Sequence, residues 1–173
     1  MHDLGEKDDE LWNVYDRDRN LTVKVHRRGQ PLSEGDYHLV VHICIFNSKN
    51  EVLIQKRQPW KRGWPDMWDL SAAGSAIVGD DSRNAAEREV KEELGLTVDL
   101  SKERPILTIN FKNGFDDYWV IKRDVEIDEL ILQYEEVAEA RWASKVELEE
   151  LIKKGEAIPY KILDYLFEYA YKL

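Results

Sequence analysis

The run RNAAEREVKEELG, residues 83–95, constrains the fold more than any other part of the chain. Wound as a helix, it lines up Ala85, Ala86, Val90 and Leu94 as an apolar stripe that can lie on a sheet, and Gly95 supplies a left-handed stop. The same winding brings Glu89, Glu92 and Glu93 (i, i+3 and i+4) onto one face. Three like charges side by side repel unless a cation sits among them, and hard divalent ions such as Mg²⁺ take oxygen ligands of this kind. An acidic helix face is more often simply solvated, so the run needs support from its surroundings.

The support is spacing. Gly74, five residues, Asp80, seven residues, then Arg88, Glu89, an aliphatic residue, any residue, Glu92, Glu93, any residue, Gly95 and an aliphatic residue follow in order. Over residues 74–96 the chain resembles the Nudix box, with Asp80 where the family has Glu. The resemblance implies an α/β fold, the Nudix α/β/α sandwich around a mixed sheet. It implies metal ligation by Glu89, Glu92, Glu93 and the carbonyl of Gly74, with Mg²⁺ as the ion and Mn²⁺ as a substitute. Asp80 and Arg88 become supporting residues that pair to brace loop and helix. Because Asp is one methylene shorter than Glu, this pairing is expected to be longer or bridged by water. Asp81 and Ser82 are good helix-start residues.

A chain of 173 residues with 43% hydrophobic residues has room for one domain with a real core, read as a single Nudix domain over 1–173 with an acidic tail at 1–10. A net charge of −10 argues against a nucleic-acid polymer or an anionic membrane as partner. No signal peptide or membrane span is legible, so a cytoplasmic location is expected. The single cysteine, Cys44, alternates within the apolar string VVHICIF and reads as a buried inert thiol.

Periodicity gives a hairpin at 11–16 and 21–26, strands at 38–47 and 52–57, an irregular segment at 58–67 and a short strand at 68–73. The box helix follows at 81–94. A strand pair is expected at 105–111 and 118–125 around the turn at Asn113 and Gly114, then a strand at 138–143. A helix at 144–154 is capped by Ser144 and Glu147, and a last helix runs from Pro159 to the end. Tyr160, Tyr165, Phe167, Tyr169 and Tyr171 make that helix aromatic nearly all round. Core packing is the first reading and a homodimer contact the second.

The segments YHLVVHICIFNSKNEVLIQKRQPWKRGWPDMWDLSAAG and EEVAEARW are similar to the Nudix branch that includes the type-1 isopentenyl-diphosphate isomerases. Those isomerases place a catalytic Cys and a metal-binding His where this chain has Ala73 and Ser75. Alanine cannot move a proton, so isomerisation is disfavoured. His38 matches a further metal-ligand position of that branch. Arg57 and Lys61 match its diphosphate-binding positions, and Trp60 and Trp64 flank the same loop as stacking or anchoring residues. Downstream of the box, Phe111, Lys112 and Asn113 stand where subfamilies acting on ADP-ribose or diadenosine polyphosphates carry Pro or Tyr, so neither marker is present.

The resemblance thus implies a Mg²⁺-dependent hydrolase that cleaves a phosphoanhydride in a nucleoside diphosphate linked to another group, a small-molecule substrate. An isomerase-like enzyme and a non-catalytic nucleotide-binding module are the alternatives. One further carboxylate from outside the box is expected, either from Asp116 and Asp117 after the turn or from Glu135 and Glu136 before the strand at 138–143, all read as loop residues, with Asp117 preferred as metal ligand and Glu136 as base.

Overall fold

The computed structural model describes residues 9–173. All of the expected acidic tail but Asp9 and Glu10 lies outside the described residues. Strands β1 (Leu11–Tyr15) and β2 (Leu21–Arg27) form a separate antiparallel hairpin. The main sheet has the order β5-β4-β3-β8-β7, with β3 His38–Phe46, β4 Val52–Arg57, β5 Trp68–Asp69, β7 Leu107–Phe111 and β8 Gly114–Lys122. Strands β6 (Ala72–Ser75) and β9 (Val137–Ala143) lie off this path, on β3 and β4 respectively. Only the β3–β8 pairing is parallel, so the sheet is mixed.

Alternation along β3 feeds two cores. Val41, Ile43 and Ile45 face Ala85, Ala86, Val90 and Leu94 of helix α1 (Ser82–Leu94). Cys44 and Phe46 face the other way, toward Leu148 and Leu151 of α2 (Lys145–Lys154) and Leu163, Leu166 and Phe167 of α3 (Leu163–Lys172). The result is the α/β/α sandwich that the apolar stripe of the box helix demands. Helix α1 starts on Asp81, whose carboxylate accepts the Asn84 N–H at 2.8 Å, and stops at Gly95 with φ 72°. Helix α2 carries the expected capping box of Ser144 and Glu147. Cys44 is fully buried. Among the described residues no helix is long and apolar enough to cross a membrane.

Three differences from the sequence reading have consequences for the site. The segment 68–73 is two strands rather than one. Residues Trp68 and Asp69 pair with β4, the chain breaks stride at Leu70 and Ser71, and β6 pairs with β3 instead. The Ser71 hydroxyl holds the break by donating to Leu53 O at 2.6 Å and accepting from Ile45 N at 2.8 Å. Strand β8 begins at Gly114, not 118, because the hairpin closes tightly: Phe111 pairs directly with Gly114. Asp116 and Asp117 are therefore strand residues on opposite faces, not loop residues. Helix α3 begins at Leu163, not Pro159, and Tyr160 is left free to point elsewhere.

Strands β3 and β4 share a single register pair, Phe46 with Val52, before they part. Beyond it β6 occupies the place beside β3, and a gap opens between β6 and β4. This gap is what lets residues of α1, on one face of the sheet, reach a cavity on the other.

Candidate active site

Glu93 bridges the gap. Its Oε2 accepts the Gln55 side-chain amide of β4 at 2.6 Å and the Ala73 N–H of β6 at 3.2 Å. Burial, reinforced by Glu89, Glu136 and Asp69, holds its pKa well above the ordinary carboxylate value. Glu89, one turn earlier, is pushed up to about 7 by burial, against the pull of Arg88. Gly74 leaves room for this carboxylate: a Cβ at this position would overlap it, so Glu89 would have to swing aside.

Arg88 organises the opposite end of the same cluster. Its Nε donates to Asp80 Oδ2 at 2.9 Å, Nη1 to Glu89 Oε1 at 2.8 Å and Nη2 to the Ser75 carbonyl at 3.0 Å. Glu92 lies 3.6 Å from Nη1. The Asp80 pairing is direct, contrary to the expected lengthening. The turn brings the shorter side chain close enough, since Asp80 N itself bonds to Ile77 O and Asn13 Nδ2 anchors the Asp80 carbonyl.

These carboxylates form one wall of a cavity of about 450 Å³. Gly74, Glu89, Glu92, Glu93 and Glu136 line it together with Arg57 and Lys61, so all but one of the expected metal, base and diphosphate positions converge. Arg57 donates to Gly63 O at 3.0 Å and to Asp69 Oδ2 at 3.3 Å. The Lys61 ammonium, almost fully buried, lies 2.5 Å from Glu136 Oε2. Trp64 also lines the cavity, with a left-handed backbone at φ 50°. Trp60 is the loop anchor instead: its indole donates to Glu135 O at 3.2 Å and its ring packs on Tyr134.

Asp117 is the exception and does not join the site. It is fully buried on the α1 face of β8, where Arg19 grips both its oxygens and Thr108 and Ser82 each donate a hydroxyl at 2.6 Å. Its neighbour Asp116 is the residue that lines the cavity. Reading the pair as loop rather than strand hid the parity that separates them. His38 stays outside too, stacked flat on Trp12 at 4.5 Å, and burial lowers its pKa to about 4.

The other wall was not legible as a site in the sequence. His42 Nε2 donates to Asp116 Oδ1 at 3.2 Å, and the ring stacks on Tyr118 at 4.6 Å. Tyr160, freed by the late start of α3, donates its hydroxyl to Asp69 Oδ1 at 2.5 Å. The i, i+2 alternation of Val40 with His42 and of Asp116 with Tyr118 was the available signal.

Seven carboxylates line the cavity (Glu10, Asp69, Glu89, Glu92, Glu93, Asp116, Glu136) against three cationic side chains (Arg28, Arg57, Lys61). Among the described residues no three His, Cys, Asp or Glu side chains stand close enough to share one ion: Glu89 is turned to Arg88 and Glu93 to Gln55 and Ala73. The donor set is nevertheless all oxygen, desolvated and in excess of its cations, which suits a hard divalent ion.

Comparison with known proteins agrees with this geometry. The NUDIX domain profile matches residues 36–166. The chain is 57% identical to the uncharacterized Nudix hydrolase lin0387 of Listeria innocua, over 92% of this chain and 94% of that one. It is 30% identical to the chloroplastic isopentenyl-diphosphate Delta-isomerase II of Arabidopsis thaliana, over 69% of this chain and 49% of the isomerase. The crystal structure of DR0079 from Deinococcus radiodurans shares the fold with a TM-score of 0.73 at 20% identity, covering 92% of this chain and 98% of that one. With the profile spanning most of the chain and Gly74, Glu89, Glu92 and Glu93 of the box lining one cavity, the chain belongs to the Nudix hydrolase family.

Proposed function

We propose that this protein is a Mg²⁺-dependent pyrophosphohydrolase acting on a nucleoside diphosphate linked to a further group. One observation carries the reading: desolvated Glu89 and Glu93 face Arg57 and Lys61 across a single cavity. Such a cavity has ligands for a divalent ion on one side and cations for phosphate oxygens on the other. Glu89, Glu92, Glu93 and the Gly74 carbonyl would hold the ion, with Mn²⁺ as a substitute. Bound there, a divalent cation supplies Lewis acidity toward the phosphate oxygens and the attacking water.

The chain's own residues do the rest. Arg57 presents a fork to the phosphate oxygens and offsets the charge that moves onto the leaving group. Lys61 does the same as a point charge once substrate competes with Glu136 for it. Glu136, released from that pairing, is then placed to orient the attacking water and accept its proton. Arg88 and Asp80 fix the position of Glu89 without touching substrate. Isomerase chemistry is not favoured, because Ala73 and Ser75 line the cavity where a thiol and an imidazole are needed, and Cys44 is sealed in the core with its pKa raised by burial.

The test is a screen of nucleotide sugars, dinucleotides, modified nucleoside triphosphates and isopentenyl diphosphate with Mg²⁺, run in ¹⁸O-labelled water. Label in a phosphate product that depends on Mg²⁺ is the expected result. Interconversion of isopentenyl and dimethylallyl diphosphates, with no labelled phosphate from any substrate, would overturn the reading.

A further inference from the structure

The sheet floor of the cavity has a shape that the phosphate chemistry does not use. Strand register sets Tyr118 of β8, His42 of β3 and Ala73 of β6 side by side in one row. The row before it is Asp116, Val40 and Ser75, and all six residues line the cavity. Tyr118 covers one face of the His42 ring, with centroids 4.6 Å apart and planes 9° from parallel. The other face of the imidazole therefore looks across Ala73, where only a methyl group fills the space. Tyr160 closes the end of this slot, standing edge-on to His42 at 5.8 Å and to Tyr118 at 6.4 Å.

Polar groups border the slot. His42 Nε2 meets Asp116 Oδ1, and no described residue donates to Asp116 Oδ2. His42 Nδ1 is buried and has no partner among the described residues. An unsatisfied buried nitrogen is costly and uncommon, and it marks a ring kept for something other than packing.

We propose that this slot seats the nucleobase of the substrate, stacked on His42 above Ala73 as the third ring after Tyr118, with Asp116 Oδ2 accepting an N–H from the edge of the base. The proposal rests on the reading of the cavity as a nucleoside-diphosphate site and names where that nucleoside binds. A planar heterocycle is preferred over a prenyl chain, because an alkyl group would bury the Asp116 carboxylate without giving Oδ2 a donor. It is preferred over a sugar ring because two parallel aromatic planes already set the geometry for a third.

The experiment measures binding of nucleoside 5′-monophosphates, ribose 5-phosphate and isopentenyl diphosphate to the full chain by calorimetry, with and without Mg²⁺. At least one nucleoside monophosphate is expected to bind about 10-fold or more tightly than ribose 5-phosphate, the size of effect that base stacking gives. Ala73→Leu, which fills the slot, should erase that difference. Asp116→Asn, nearly isosteric and thus safe for folding, should change the ranking of the bases by about 5-fold or more. Equal binding of ribose 5-phosphate and every nucleotide, tighter binding of isopentenyl diphosphate, or a base ranking unchanged in both variants would overturn the proposal. Failure of the hydrolase reading looks different: no labelled phosphate from any diphosphate. Hydrolysis that persists with no base preference sinks the slot alone.

Discussion

Two arginine–carboxylate clusters flank the N-terminal half of the box helix, and they are built to opposite specifications. In the first, one acid, Asp117, receives both ends of the Arg19 guanidinium and the hydroxyls of Thr108 and Ser82. In the second, one guanidinium, Arg88, serves Asp80, Glu89 and Glu92 at once. Glu93, a turn further on, is held by an amide and a backbone N–H. The first cluster saturates a buried charge and locks the β1–β2 hairpin, β8 and α1 together. The second, with Glu93, leaves the buried carboxylates of Glu89 and Glu93 beside a cavity in which acidic side chains outnumber basic ones. Saturation marks structure, and shortage marks a place where a ligand completes the charge balance.

Removing one buried carboxylate at each place separates the two most sharply. Glu93→Gln should lower turnover by roughly 10²–10³-fold, the scale of losing one group that stabilises the transition state. Its melting temperature should hold or rise, because the variant no longer buries a charge. Near-wild-type hydrolysis at limiting Mg²⁺ would break the comparison. Asp117→Ala should do the reverse, costing about 2–3 kcal/mol of stability, since a buried acid with four donors is lost while the half-exposed Arg19 can rehydrate. Turnover per folded molecule should stay unchanged. A specific loss of activity in a fully folded Asp117→Ala protein would return that residue to the site.

That second variant also tests why the sequence misplaced Asp117. The box was legible because its chemistry lies on one continuous helix, where a fixed spacing fixes the face. Arg57 and Lys61 were read through a likeness that spans separate segments, and Glu136 from its place in a loop before the strand at 138–143. The sheet floor was not, because its residues come from three strands and a pre-helical turn. A start for β8 misread by four residues turned strand into loop and removed the alternation that distinguishes Asp116 from Asp117. Likewise, starting the last helix at Pro159 assigned Tyr160 to core packing, although its hydroxyl meets Asp69 at the cavity. Such residues are brought together by register, and register is a property of pairing rather than of any one segment.

The shortage of cations should also be visible in stability. Burial raises Glu89 to about 7 and Glu93 well above its ordinary value, so both hold protons more tightly folded than unfolded. The contribution of Glu89 to stability is complete below about 4.5, the ordinary value, and is lost as pH climbs through about 7, while that of Glu93 is likewise complete below the ordinary value and is lost as pH rises well above it. In a chelator, the melting temperature should therefore fall by about 2–6 °C between pH 5 and 8. Saturating Mg²⁺ should flatten the slope, and Glu93→Gln should reduce it without any metal. A melting temperature that climbs over that window in chelator would show the carboxylates to be adequately paired already.

The smallest effect is expected at the position where the chain departs from its family. Asp80 reaches Arg88 Nε directly at 2.9 Å, because the turn after Ile77 and the bond from Asn13 to the Asp80 carbonyl carry the backbone inward. The missing methylene is thus recovered by the path of the loop. Asp80→Glu adds a carbon to a pair that is already closed, so the longer side chain must fold back or push the loop outward. Turnover should change by no more than about 3-fold, under 1 kcal/mol. Asp80→Ala should cost more, because Arg88 then leans wholly on Glu89 and Glu92 and draws both toward itself, away from the cavity. The sign to look for is a higher Mg²⁺ requirement in Asp80→Ala with none in Asp80→Glu. If restoring Glu raises turnover 10-fold or more, the pairing seen here does not brace Glu89, and the under-served cluster owes its geometry to something other than Arg88.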